Sequence, residues 1–210
     1  MTVTAPAFVH AFEPATDAAR PPLLLLHGTG GDERDLLPLG RLVAPGAALL
    51  SPRGTVLENG MPRFFRRLAE GVFDEDDLRA RTDDLAAFLR AAMAEHGLAA
   101  PVALGFSNGA NIAASLLLRH PGLLGGAALL RAMVPFRDPP AARLEGTPVL
   151  LLSGASDPIV PAANSARLAA LLQGAGARVA HRELPVGHGL SQMDVALARD
   201  WLATLQENAR

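Results

Sequence analysis

Apolar residues in this chain come in short runs, and the runs alternate with longer stretches in which apolar positions recur every three or four residues. The runs at 22–27, 47–51, 102–106, 126–130, 148–153 and 178–184 predict strands. All but the last, RVAHREL, are apolar nearly throughout rather than every second residue, as strands of a parallel sheet covered on both faces are. Between them, 74–96 predicts a long helix. Asp74 is placed to cap it, acidic residues fill its first turn, Leu78, Leu85, Phe88, Leu89 and Met93 form a stripe, and Gly97 ends it. Shorter helices are expected over 108–119 and 162–173, and a terminal one over 191–206, anchored by Val195, Trp201, Leu202 and Leu205. Strand and helix in alternation predict an α/β fold, with a mostly parallel central sheet and helices on both faces.

Composition adds limits. With 210 residues, 50% hydrophobic and 19% charged, the chain holds enough apolar material for one domain spanning 1–210. The net charge is −2 and no Lys/Arg-rich run stands out, so a nucleic-acid footprint is absent and a small neutral or apolar partner fits better. There is no cysteine, which excludes disulfides, thiolate metal sites and a cysteine nucleophile. Residues 1–12 do not read as a signal peptide, and the apolar runs are too short to span a bilayer, so a cytoplasmic protein is expected. The segment 52–73 breaks the pattern. It carries glycines, prolines, four arginines and three phenylalanines with weak periodicity, and reads as a loop region over the site.

Candidate chemistry centres on Gly105-Phe106-Ser107-Asn108-Gly109, a Gly-x-Ser-x-Gly run between a predicted strand and a predicted helix. A serine there occupies a tight, strained turn, and flanking glycines remove side chains that would collide in it. Its hydroxyl then projects from the sheet, with the Asn108 N–H and the helix dipole near an oxyanion. Taken alone, the run is read equally well as a helix cap, because serine is a favoured capping residue.

The remainder of the chain separates the two readings. A serine nucleophile needs a base and the base an orienting acid, in the chain order Ser, Asp, His for this turn. Asp157 follows the run at 148–153, and His188 lies between two glycines after the run ending at Leu184. Each has a bland reading, a turn residue before Pro158 and a helix-start residue, but three residues of these types at three strand exits favour a triad. Asp194 and Asp200 fall inside the last helix, while His10, His96, His120 and His181 are read as structural or solvent-facing. His27-Gly28-Thr29-Gly30-Gly31 follows the first predicted strand and would supply a second oxyanion N–H, assigned to Thr29 with Gly30 as the alternative. His27 itself reads as a hydrogen-bonding residue beneath the loop. No Gly-Lys-Ser/Thr follows these glycines, which argues against a phosphate loop, and no His/Asp/Glu cluster has metal-ligand spacing.

Through LLLLHGTGGDERDLLPLG, LSPRG, ALGFSNGANIA, LLRAMVP, LLSGASDPIVP and PVGHGLS, the chain resembles the phospholipase/carboxylesterase branch of the α/β-hydrolases over essentially its whole length. That branch includes small bacterial esterases and acyl-protein-thioesterase-like enzymes. HGTGGDE, LSPRG and RAMVP look most like bacterial carboxylesterases associated with hydroquinone or quinone stress. The resemblance implies a single-domain α/β-hydrolase fold with a minimal lid. It also implies a Ser107, Asp157 and His188 triad, an oxyanion hole from Thr29 and Asn108, no cofactor, and frequent homodimers. Short or medium acyl esters are the implied substrates. The segment Leu130-Arg131-Ala132-Met133-Val134-Pro135 departs from the thioesterase-like members, which counts against acyl-protein or lysophospholipid activity. A thioesterase, an amidase or a perhydrolase could use the same triad, and a hydrolase-fold protein that binds a small ligand without turnover stands as the non-enzymatic alternative.

For substrate contacts the sequence offers Phe64 and Phe65 in the 52–73 region and Phe106, Met133 and Val134 near the strand exits, with core packing the competing reading for each. Arg53, Arg63, Arg66 and Arg67 could draw an acidic group, although a solvated basic face paired with the acidic residues at 74–77 explains them more simply.

Overall fold

The computed structural model describes residues 7–207, so the part of the expected absence of a signal peptide that rests on residues 1–6 lies outside the described residues. Along the chain the elements run β1 (His10–Glu13), β2 (Leu23–Leu26), α1 (Leu37–Val43), β3 (Leu49–Pro52), β4 (Val56–Glu58), β5 (Met61–Arg63), β6 (Arg67–Ala69), β7 (Val72–Phe73) and α2 (Glu75–His96). They continue with β8 (Val102–Phe106), α3 (Asn108–Arg119), β9 (Gly126–Leu130), β10 (Pro148–Gly154), α4 (Ala162–Gly174), β11 (Arg178–Leu184) and α5 (Gln192–Glu207).

Seven strands form one sheet in the order β1-β3-β2-β8-β9-β10-β11. Only the β1–β3 pairing is antiparallel, and the rest are parallel. The continuous apolar runs follow from this. In β2, Leu24 and Leu26 enter the core on one face of the sheet while Leu23 and Leu25 enter the core on the other. β10 does the same with Val149 and Leu151 against Leu150 and Leu152. Because successive side chains of a strand point to opposite faces, both parities must be apolar when both faces are covered. The first face packs against α2, α3 and α4, and the second against α1 and α5.

The long helix begins and ends as expected. The Asp74 carboxylate accepts the Asp77 N–H at 3.1 Å, and three acidic residues follow in the first turn, where the helix dipole favours negative charge. Gly97 closes it in the left-handed conformation, φ 63°, with its N–H on the Met93 carbonyl.

The sequence reading of 52–73 as loop needs correction, because two small hairpins occupy it. β4 and β5 pair Val56 with Arg63 and Glu58 with Met61 around Asn59-Gly60, both at positive φ. That is the backbone a tight two-residue hairpin turn demands, and Asn-Gly is its usual sequence. The antiparallel edge strand β1 and the short helix α1 also lie outside what the periodicity predicted. β1 contains charged and aromatic residues without alternation, and α1 has seven residues with Pro38 and Gly40 among them.

Candidate active site

All the chemistry-bearing loops leave the sheet at the carboxyl ends of neighbouring strands, where open α/β sheets place their ligands. β2 leads into residues 27–31, β8 into Ser107, β9 into Arg131, β10 into Asp157 and β11 into His188.

Ser107 sits between β8 and α3 at φ 51° and ψ −114°, and makes no side-chain cap to the helix. The cap reading of the pentapeptide therefore does not describe this serine. Its N–H is fixed on the Leu130 carbonyl at 2.8 Å and its own carbonyl accepts the Asn111 N–H at 3.0 Å. The glycines are required by close approach. A Cβ on Gly105 would lie 2.6 Å from the Gly109 carbonyl oxygen, and one on Gly109 would collide with the carbonyls of Leu26 and His27.

Ser107, His188 and Asp157 form one hydrogen-bonded chain. The Ser107 hydroxyl donates to His188 Nε2 at 2.9 Å, and His188 Nδ1–H donates to Asp157 Oδ2 at 2.8 Å. Asp157 Oδ1 accepts the N–H groups of Ile159 (2.8 Å) and Val160 (3.0 Å), which fixes the carboxylate in the turn after β10. The second Ser–His pair of the fold, Ser153 and His181 at 2.9 Å, is a link between β10 and β11.

The oxyanion candidates differ in availability. The Gly30 N–H is spent on the Pro62 carbonyl at 2.9 Å, which removes Gly30 as the alternative donor. Among the described residues the N–H groups of Thr29 and Asn108 have no such partner, and the latter is one of the orphan donors at the start of α3. Beneath the loop, buried His27 accepts the Gly54 N–H at Nε2 (2.9 Å) and donates from Nδ1 to the Gly28 carbonyl (2.6 Å). Burial lowers its pKa, partly offset by that bond to Gly28, and the accepting Nε2 requires the neutral ring.

A cavity of about 270 Å³ opens above the serine, walled by Thr29, Phe106, Met133, Ile159 and Val160 and by residues of the hairpins. Phe106 and Met133 lie where the sequence placed them. Phe64 and Phe65 do not, being 1% and 0% exposed in the main core, where the Phe64 N–H is held by Asn108 Oδ1 at 2.8 Å. Phe64 packs against the His27 ring and Phe65 against Phe73, while Arg63 and Arg67 line the cavity wall. Val134 lines a separate groove with Phe136, Arg137 and Leu171, and Asn164 Oδ1 accepts its N–H at 2.8 Å.

The expected solvated basic face holds for Arg66, which pairs with Asp74 at 3.0 Å. It fails for the others. Arg53 pairs with Glu33, and Arg67 pairs with Glu58 at 2.8 Å. Arg63, with 4% of its side chain exposed, lies 3.1 Å from Glu58 and donates from Nη1 to Thr29 Oγ1 at 2.6 Å. Burial pulls its pKa below the ordinary value, with Glu58 opposing, yet a guanidinium stays charged.

One pair escaped the sequence reading altogether. Arg131 is fully buried and stands at φ 61° directly after β9, and Asp194 of α5 binds it through both oxygens at 2.8 Å. Its other donors reach the carbonyls of Leu152 (3.2 Å), Gly187 (3.0 Å) and Gly189 (3.2 Å). All five guanidinium N–H groups are used, and two of them hold the carbonyls on either side of His188. No local pattern announces a contact between residues so far apart in the chain, although the charged residue inside LLRAMVP was a signal that something buried must answer it.

A family model described as phospholipase/carboxylesterase matches residues 9–206. The putative hydrolase MhqD of Bacillus subtilis (strain 168) is 48% identical over 181 residues, 85% of this chain and 90% of that one. The crystal structure of a Bacillus cereus carboxylesterase superposes with a TM-score of 0.91 at 49% identity, covering 94% of each chain. A carboxylesterase from Mesorhizobium loti does so with a TM-score of 0.84 at 38% identity, covering 91% of this chain and 98% of that one. The sheet order, the helices on both faces and these superpositions agree on the α/β-hydrolase fold.

Proposed function

The chain belongs to the phospholipase/carboxylesterase family, and on that premise we propose that it is a serine carboxylesterase acting on short carboxylic esters through an acyl-enzyme at Ser107. The observation that carries the reading is the unbroken relay Ser107 Oγ–His188–Asp157 at 2.9 and 2.8 Å, with the serine strained at a strand exit.

In this mechanism His188 Nε2 takes the Ser107 proton as Oγ attacks the ester carbon. The negative charge moves to the carbonyl oxygen, where the free N–H groups of Thr29 and Asn108 receive it. Collapse of the tetrahedral adduct breaks the bond to the alcohol oxygen, which leaves with the proton from Nε2. A water then gives its proton to Nε2, attacks the acyl-serine, and the acid departs as Ser107 regains its proton. Asp157 keeps the Nδ1–H tautomer and stabilises the imidazolium in both halves. The cavity of about 270 Å³ lies just below the size range of ordinary ligand sites and suits a short acyl group better than a lysophospholipid chain.

Turnover of p-nitrophenyl butyrate, followed by release of p-nitrophenolate, tests the reading. Ser107→Ala is expected to lower kcat by on the order of 10⁶. A Ser107→Ala protein within tenfold of the native rate contradicts it.

A further inference from the structure

The two arginines buried among the described residues are treated in opposite ways. Arg131 has a carboxylate of its own and an acceptor for every N–H. Arg63 has neither. Its Nε donates to the Phe65 carbonyl at 3.2 Å and its Nη1 to Thr29 Oγ1 at 2.6 Å, while Nη2 makes no hydrogen bond among the described residues. Glu58 lies 3.1 Å away, yet Glu58 also accepts from Arg67 Nε at 2.9 Å, so one carboxylate serves two guanidiniums. Sequestering a cation from water is costly unless it is fully paired. A purely structural arginine would be saturated as Arg131 is.

Arg63 and Arg67 both line the cavity over Ser107, and among the described residues no Asp or Glu does. The neighbouring polar walls are donors too. Asn108 gives its Oδ1 to the Phe64 N–H, and its Nδ2 is buried with no partner. Asn111 gives its Oδ1 to the Met133 N–H at 2.7 Å, which leaves that side chain only its amide N–H groups to offer. The wall of the catalytic cavity thus offers unspent donors and one positive charge in excess of Glu58, whose buried Oε2 lies within ion-pair range of Arg63 Nε but accepts no hydrogen bond, and it has an aliphatic side at Met133, Ile159 and Val160.

We propose that the site selects esters bearing a second, anionic carboxylate group, which Arg63 and Arg67 bind while the ester carbonyl lies at Ser107. The substrate class is then half-esters of small dicarboxylic acids, or esters of carboxylate-bearing alcohols and phenols. This rests on the esterase reading and narrows it. The carboxylate supplies the acceptor that Nη2 lacks and the charge that Glu58 leaves unmatched. Nothing covalent is added, since the carboxylate is held and only the ester bond is cleaved.

The test compares matched pairs on the native enzyme. Monomethyl glutarate is set against methyl valerate for a charge on the acyl side, and 4-acetoxybenzoate against methyl 4-acetoxybenzoate for a charge on the alcohol side. Product is measured by chromatography. In at least one pair the anionic ester is expected to have a kcat/KM about 10-fold or more above its neutral partner, the scale of a charge-assisted hydrogen bond. That ratio is expected to fall several-fold in Arg67→Met and in Arg63→Met. Because both members of a pair are read on the same sample, the ratio is independent of how much of a variant folds, and Arg67→Met covers the case in which Arg63→Met does not fold. Neutral esters cleaved as well as or better than the anionic ones in both pairs overturn the proposal while leaving the esterase reading intact. So does a preference that both variants retain. Failure of the native enzyme on all four esters overturns this proposal and the esterase reading together.

Discussion

Replacing Asp194 by Asn removes a charge and almost no volume, and it tests how the His188 loop is held. Both carboxylate oxygens lie 2.8 Å from the Arg131 guanidinium, and neither side chain exceeds 1% exposure. Breaking a buried pair from one side leaves an uncompensated ion, at a cost of about 3–5 kcal/mol. Domains of ordinary stability have about 5–15 kcal/mol in all, so Asp194→Asn is expected to fold with a severe loss. In urea, with a slope of about 2–3 kcal/mol per molar, the midpoint falls by about 1–2.5 M. The double variant Arg131→Met, Asp194→Leu separates stability from positioning. Apolar replacement of the whole pair is expected to recover at least half of the lost stability. It does not replace the donors that hold the Gly187 and Gly189 carbonyls. His188 is then free to shift, and displacement by about 1 Å is expected to lower kcat by about 10²-fold with KM little changed. Urea unfolding and steady-state ester hydrolysis on the same preparations read both effects. An Asp194→Asn protein within 1 kcal/mol of native, or a double variant with native kcat, refutes the role assigned to this pair.

Two further outcomes follow from local geometry. His27 is buried and neutral, so its folded pKa lies below the ordinary 6.5 and the unfolded chain binds a proton that the folded one refuses. Stability is therefore complete above about pH 6.5 and declines as pH falls below it, by up to about 1.4 kcal/mol per pH unit. Urea midpoints between pH 7.5 and 5 are expected to fall in the native protein and to fall less in His27→Gln, with the lowered His181 supplying the remainder in the same direction. Equal slopes in the two proteins contradict the assignment. Gly109→Ala places a methyl group against the Leu26 and His27 carbonyls and is expected to yield no soluble folded protein or a loss above about 3 kcal/mol, whereas Gly60→Ala meets nothing within 4 Å and loses only its positive-φ allowance, about 1 kcal/mol. Thermal unfolding of the two variants checks the contrast.

Sequence periodicity located the buried elements best. β8, β9 and α3 have the expected ends, because apolar runs bounded by Gly, Pro and Ser leave little freedom in where a buried element stops, and the partly exposed edge strand β11 also ends where expected. The residues that meet at Ser107 were legible because each follows a predicted strand, and parallel pairing brings the carboxyl ends of β8, β10 and β11 to one edge. What escaped depends on contacts distant in sequence or on very short elements. β4 to β7 are two or three residues each, too short for a period, although Asn59-Gly60 marked the first turn. Whether Phe64 or Arg63 faces the cavity is decided by the register of β4 against β5, which composition does not encode. The Arg131–Asp194 pair joins β9 to α5 through the core, and no helix or strand pattern predicts which buried charge meets which.

The central claim is that Ser107 is an activated nucleophile, and covalent labelling tests it most directly. A fluorophosphonate should add one equivalent to the native chain, with peptide mass spectrometry placing the adduct on Ser107. Labelling should be lost in Ser107→Ala and slowed in His188→Ala. Label on another residue, or a Ser107→Ala chain labelled at the native rate, contradicts the account.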